Sequence, residues 1–117
     1  MNLVQKHQSI ERANSDRCII TEYPMDNSPM NFAIAKINGR YPESKQATNL
    51  VCDEIVHVNA ASGSVTVNGV KHFLSAGDTV LIEAGEKFLW EGDLHLYISC
   101  TPMFTVEQHQ IVEIMNP

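Results

Sequence analysis

Basic residues are scarce in this chain. Lys and Arg number 8 against 14 Asp and Glu, a formal net charge of −6, and no stretch gathers the cations into a cluster. A nucleic-acid partner needs a basic face to replace the counterions of the phosphate backbone, so that class of function is excluded. Long apolar runs are missing too. No segment approaches the length of a membrane span, and the N-terminal stretch MNLVQKHQSIERANSD lacks the apolar core of a signal peptide. No membrane partner is expected, and the expected location is the cytoplasm. Cysteine is sparse and unpaired in pattern: Cys18, Cys52 and Cys100 are odd in number and far apart, with no Cys-x-x-Cys spacing for zinc or redox work. Reduced thiols acting as small hydrophobes fit a reducing compartment. Asp53 and Glu54 stand beside Cys52 and oppose its ionisation, which argues against a nucleophilic thiol. The chain also has no Gly-rich phosphate loop, no serine, histidine and acid in a recognisable catalytic context, and no basic amphipathic helix.

What the sequence does have is short apolar alternation broken by turn dipeptides. Ile55–Val58, Ser64–Val67 and Thr79–Ile82 alternate with the period of a strand, and Ser62-Gly63, Asn68-Gly69 and Gly77-Asp78 supply residues suited to tight hairpin turns. Upstream, Phe32–Ile37 reads as a strand turned by Asn38-Gly39, and a polar loop, RYPESKQATN, leads into a strand over Leu50–Val58. Downstream, Leu94–Cys100 alternates as a half-buried closing strand, and Thr105–Met115 reads as a short helix or a final edge strand. Residues 1–17 are polar and weakly patterned, fit for an edge strand or an arm, and Tyr23–Asn31 has the proline and asparagine content of a loop. At 117 residues this is one domain, an antiparallel all-β sandwich or barrel.

The segment EIVHVNAASGSVTVNGVKHFLSAGDTVLIEAG, Glu54 to Gly85, resembles the cupin superfamily. Cupins carry a first motif Gly-x5-His-x-His-x3-Glu-x6-Gly and a second, Gly-x5-Pro-x-Gly-x2-His-x3-Asn. With Glu54 as the first motif's glutamate, its histidine positions fall on Thr48 and Leu50; in the second motif Gly77 and Gly85 are in place, while the histidine position holds Phe88. The resemblance implies a cupin jelly-roll barrel (double-stranded β-helix) with its core over residues 32–102, an N-terminal arm and loop over 1–31 and a closing segment over 103–117. It implies a small single-domain cupin with a degenerate metal site, so no metal and no cofactor are expected. Small cupins often pair through their arms, and a homodimer is expected.

Strand alternation places Glu54 on one face with Leu50, Cys52, Val56 and Val58 if no bulge intervenes. A carboxyl among apolar neighbours either keeps its proton or finds a partner, and Lys45, Lys87, Tyr23, Tyr41 and Tyr97 are the candidates. Such a group is a general acid or base, an anchor for a polar ligand, or a relic of a lost metal site held at the barrel mouth. Phe88 and Trp90, the only tryptophan, face the same way; they either stack on a flat ligand or fill the space a metal shell would take. His7, His57, His72, His95 and His109 are scattered, with His57 on the face opposite Glu54. Three classes of function follow. One is a small-molecule binding or sensing module with a pocket of Thr48, Leu50, Cys52, Phe88 and Trp90 around Glu54. The second is a metal-independent isomerase, epimerase or lyase with Glu54 as catalytic acid or base. The third is a structural or interaction barrel.

Overall fold

The structure, a computed structural model, describes residues 1–114, so the expected segment Thr105–Met115 is seen except for Met115. Nine strands follow in chain order: β1 Ile10–Ser15, β2 Cys18–Tyr23, β3 Asn31–Tyr41, β4 Gln46–Asn49, β5 Asp53–Val67, β6 Val70–Ser75, β7 Thr79–Ile82, β8 Lys87–Thr101 and β9 His109–Val112. All pairings are antiparallel, and β8 is the spine. One edge of it pairs with β3 and, at its start, with β4; the other pairs with β5 along nearly its whole length. β5 in turn carries β6 and β7, β3 carries β2 and then β1, and β4 carries β9. The sheet curls around a core that includes Ile20, Ala35, Ile37, Val56, Val58, Leu94 and Leu96. No helix among the described residues is long and apolar enough to cross a membrane.

The expected edge strand in residues 1–17 is β1, and the closing strand Leu94–Cys100 lies inside the longer β8. Asn68-Gly69 is the tight turn its residues dictate, with φ of 48° and 83° between the paired Val67 and Val70. Two other expected turns are not turns. Asn38-Gly39 lies within β3 and Ser62-Gly63 within β5, and both glycines pair across the sheet toward Gly92 of β8. The reason is steric. A Cβ on Gly63 would lie 2.1 Å from the Glu91 carbonyl oxygen, and Gly92 holds φ +124° with its missing Cβ 2.6 Å from Gly63 Cα. The glycine row lets the sheet bend sharply at close backbone approach instead of ending its strands.

A second departure changes which side chains face inward. Between Val58 and Ala60 the pairing of β5 with β8 slips by one residue, and Ala61 adopts φ 69°. Before this bulge Val56 and Val58 point to the core; after it Val65 does. On the outer face, Leu81, Ile55 and Phe32 are exposed along one cross-strand row and Tyr97 sits in the next. Tyr23, Phe32 and Tyr97 form a run of rings with centroids 5.9 Å apart at each step.

Candidate acid–base site

The curl of the sheet leaves a narrow cleft that opens at one mouth. Its wall is largely apolar: Ile20, Ala35 and Leu96 on the strands, with Phe88, Trp90 and Phe104 as rings. Phe88 and Trp90 meet edge to face with centroids 6.4 Å apart. Polar groups converge from four strands and the C-terminal segment: Arg12 and Asn14 from β1, Glu22 from β2, Tyr41 from β3, Glu54 from β5, and His109. Thus the strands that build the barrel wall also aim its titratable groups at one space.

Glu54 is half-buried as a residue, and its carboxyl is the enclosed end. Burial raises its pKa from the ordinary 4.5 to about 7, against a smaller lowering from Asn49, whose Nδ2 donates to Oε2 at 3.4 Å. None of the five expected partners bonds it: Lys45 pairs with Glu113, and Tyr41, although in the same cleft, donates elsewhere. Tyr41 and His109 lie 2.8 Å apart, hydroxyl to Nε2, and His109 Nδ1 lies 2.8 Å from Asn49 Oδ1. Burial, with the Arg12 charge adding to it, lowers the His109 pKa below 6.5, and burial raises that of Tyr41. At neutral pH the imidazole is uncharged and the phenol keeps its proton.

Arg12 is the one Lys or Arg side chain in the lining, and it is committed. Its guanidinium bonds Glu22 through Nη2 at 2.8 Å and Nε at 3.1 Å, donates to Asn14, and rests 5.4 Å from the Phe104 ring centroid. Cys18 and Cys100 also reach the cleft, but burial pushes both thiols up, Cys18 to about 12, so neither is an available nucleophile.

Of the residues expected to gather around Glu54, the structure brings Phe88 and Trp90 to it and not the others. Leu50 is 57 % exposed because the chain leaves strand geometry over Leu50–Cys52, so alternation from Glu54 does not reach it. Cys52 is buried outside the lining, beside Gln108, and Thr48 is buried in β4 with its hydroxyl oxygen unpartnered. His57 lies on the outer face, bonded to Thr79. The residues not anticipated as a site are Arg12, Asn49 and His109. The meeting of the last two depends on β4 pairing with β9, which sets Asn49 opposite His109.

No protein-family model and no curated protein matches the sequence. Solved structures do match in shape. Pac13 from Streptomyces, described as a nucleoside dehydratase and solved in variants with uridine, superposes at TM-score 0.85 with 12 % identity over 99 % of this chain and 94 % of that one. KdgF from Halomonas sp. matches at 0.73 with 14 % identity, over 92 % and 97 % of the two chains. Ectoine synthase from P. lautus matches at 0.72 with 10 % identity, over 100 % and 94 %. The chain has the cupin fold. A metal of the cupin kind is not matched by the residues present. The motif alignment sets one ligand position on the exposed Leu50, another on the carbon-only ring of Phe88, and the third on Thr48, buried outside the cleft. Among the described residues no three His, Cys, Asp or Glu side chains gather where an ion would sit.

Proposed function

We propose that this cupin binds an uncharged, hydroxylated small molecule carrying a flat ring and acts on it as a metal-independent lyase. The observation that carries the reading is that Glu54 and the Tyr41–His109 pair open onto one largely apolar cleft. Titratable groups with divergent proton affinities facing one small space are what acid–base elimination requires. With a pKa near 7, Glu54 holds a proton for a departing hydroxyl at neutral pH and gives it up without a large penalty. Trp90 and Phe104 line the cleft as rings against which a flat group can pack. An uncharged ligand follows from the charge inventory: Arg12 is already bonded to Glu22, so a phosphate would meet Glu22 and Glu54 without a free cation. The shape match to a nucleoside dehydratase seen with uridine supports this class of ligand and makes uridine the first probe. Binding without turnover is the simpler form of the same reading.

The test is Trp90 fluorescence, the single tryptophan, titrated with uridine, other neutral nucleosides and uridine 5′-monophosphate. A neutral compound is expected to perturb the emission saturably and to bind about tenfold or more tightly than its phosphate, a difference of about 1.4 kcal/mol. Tighter binding of the phosphate, or no response to any neutral ligand, would overturn the reading. We also propose that a second copy of the chain covers the outer face around Ile55, Phe32, Leu81 and Tyr97. A contiguous apolar patch of this kind, carrying tyrosine and phenylalanine, has the composition of an interface core. The partners proposed are thus one small molecule and one identical subunit.

A further inference from the structure

We propose that Tyr41, His109 and Asn49 form the second proton-transfer arm of the cleft, with the Asn49 amide stabilising a cation at His109 on one side and an anion at Glu54 on the other; the proposal rests on the acid–base reading above. Hydrogen-bond bookkeeping fixes every orientation. Gln108 Oε1 faces two backbone N–H groups, those of Val51 at 3.0 Å and Cys52 at 3.3 Å, so it must be the oxygen. Gln108 Nε2 is therefore a donor, and the Asn49 atom 3.3 Å from it is an acceptor oxygen. That sets Asn49 Nδ2 toward Glu54 Oε2. It also requires His109 Nδ1, at 2.8 Å from the same Asn49 oxygen, to carry the imidazole proton. His109 Nε2 is then a bare lone pair, and the Tyr41 hydroxyl donates to it.

Asn49 and Gln108 are both buried, with oxygen and nitrogen of each amide bonded, so this polarity cannot reverse without stranding a buried donor or acceptor. The groups facing His109 are Arg12 from β1, Tyr41 from β3, Asn49 from β4 and the rings of Phe88 and Phe104; Glu54 lies beyond Asn49, and Glu22 is held by Arg12. In an elimination, a substrate C–H proton passes to Tyr41 Oη as the Tyr41 hydroxyl proton passes to His109 Nε2. The C–H electron pair becomes the new double bond, the carbon–oxygen bond breaks, and the departing hydroxyl takes the Glu54 proton and leaves as water. An imidazolium and a carboxylate remain. The Asn49 carbonyl faces the first and its N–H faces the second, which is the arrangement that stabilises both charges. When product leaves, His109 loses its proton to solvent and Glu54 regains one.

The arm is tested on the full chain without ligand, by ¹⁵N NMR of labelled histidine, with the His109 signal assigned by its loss in His109→Asn. The expected signal is a neutral Nδ1–H tautomer that titrates below the ordinary 6.5. Asn49→Asp, a carboxylate at the Nδ1–H, is expected to raise that midpoint by about one pH unit or more. Glu54→Gln is expected to leave that midpoint almost unmoved, since the carboxyl is already protonated where His109 titrates. Tyr41→Phe, which removes the hydroxyl bonded to Nε2, is expected to shift the ¹⁵N signal of that nitrogen while Nδ1 stays protonated, and this variant carries the test if Asn49→Asp does not fold. An Nε2–H tautomer, or an Nε2 signal that ignores the Tyr41→Phe change, would overturn the arm. Failure of every neutral nucleoside to bind, with the tautomer and coupling as expected, would instead remove the ligand reading and leave the arm standing.

Discussion

Glu54→Gln should make the protein more resistant to unfolding in mild alkali and leave it almost unchanged in mild acid. In the folded chain the carboxyl holds its proton to about pH 7, against an ordinary 4.5. A group whose pKa is raised by folding contributes its full stability below the unfolded value and loses it as pH rises through the folded value. At about 1.4 kcal/mol per pH unit, the gap is worth about 3 kcal/mol by pH 8, none of which the uncharged glutamine forfeits. Glutamine keeps the shape and still accepts from Asn49 Nδ2, so packing should cancel in the comparison. The assay is urea unfolding of both proteins at pH 4.5, 6, 7 and 8.5. The difference in unfolding free energy is expected to open between pH 5 and 8 in favour of the variant. Titration elsewhere largely drops out because both chains share it. A difference independent of pH would refute the burial argument, and one that favoured wild type more as pH rose would show that the carboxylate has a cationic partner.

Gly63→Ala sets a Cβ against the Glu91 carbonyl oxygen at 2.1 Å and should cost about 3 kcal/mol or more, read as a fall in Tm of roughly 10 °C or as failure to fold. An ordinary Tm would mean that the strands do not approach so closely there. Ile55→Lys, at the middle of the exposed apolar row, should leave the fold intact and halve the mass seen by light scattering. A wild-type chain that is already monomeric at micromolar concentration would end the dimer proposal.

How much of this was legible in the residues depends on the range of the contact involved. The Asn68-Gly69 turn is local chemistry, because two adjacent positive φ angles select those residues whatever the rest of the chain does. The fold class follows from repeated short alternation plus turn signals, which needs no partner to be read. The glycines at 39 and 63 were misleading because glycine within a strand pattern has a second meaning, close backbone approach, and only the cross-strand neighbour Gly92 reveals it. Parity arguments worked where the strand was regular, as for Val56 and Val58, and failed at Leu50, which lies off the end of β5. The site itself was half legible: Glu54 and Phe88 were marked by motif position, and Trp90 by alternation from Phe88. His109 and Asn49 were not, since they meet by pairing across 60 residues and neither has a local pattern that says so.

The most direct measurement is the metal content of untagged protein grown with manganese, iron, nickel, cobalt and zinc supplied, followed by the melting temperature with each ion added back. Only a small fraction of an ion per chain is expected, and no ion that raises the Tm, since the cleft offers Glu54 and a neutral His109 already bonded through both nitrogens. Near-stoichiometric metal that survives purification and stabilises the fold would contradict that expectation.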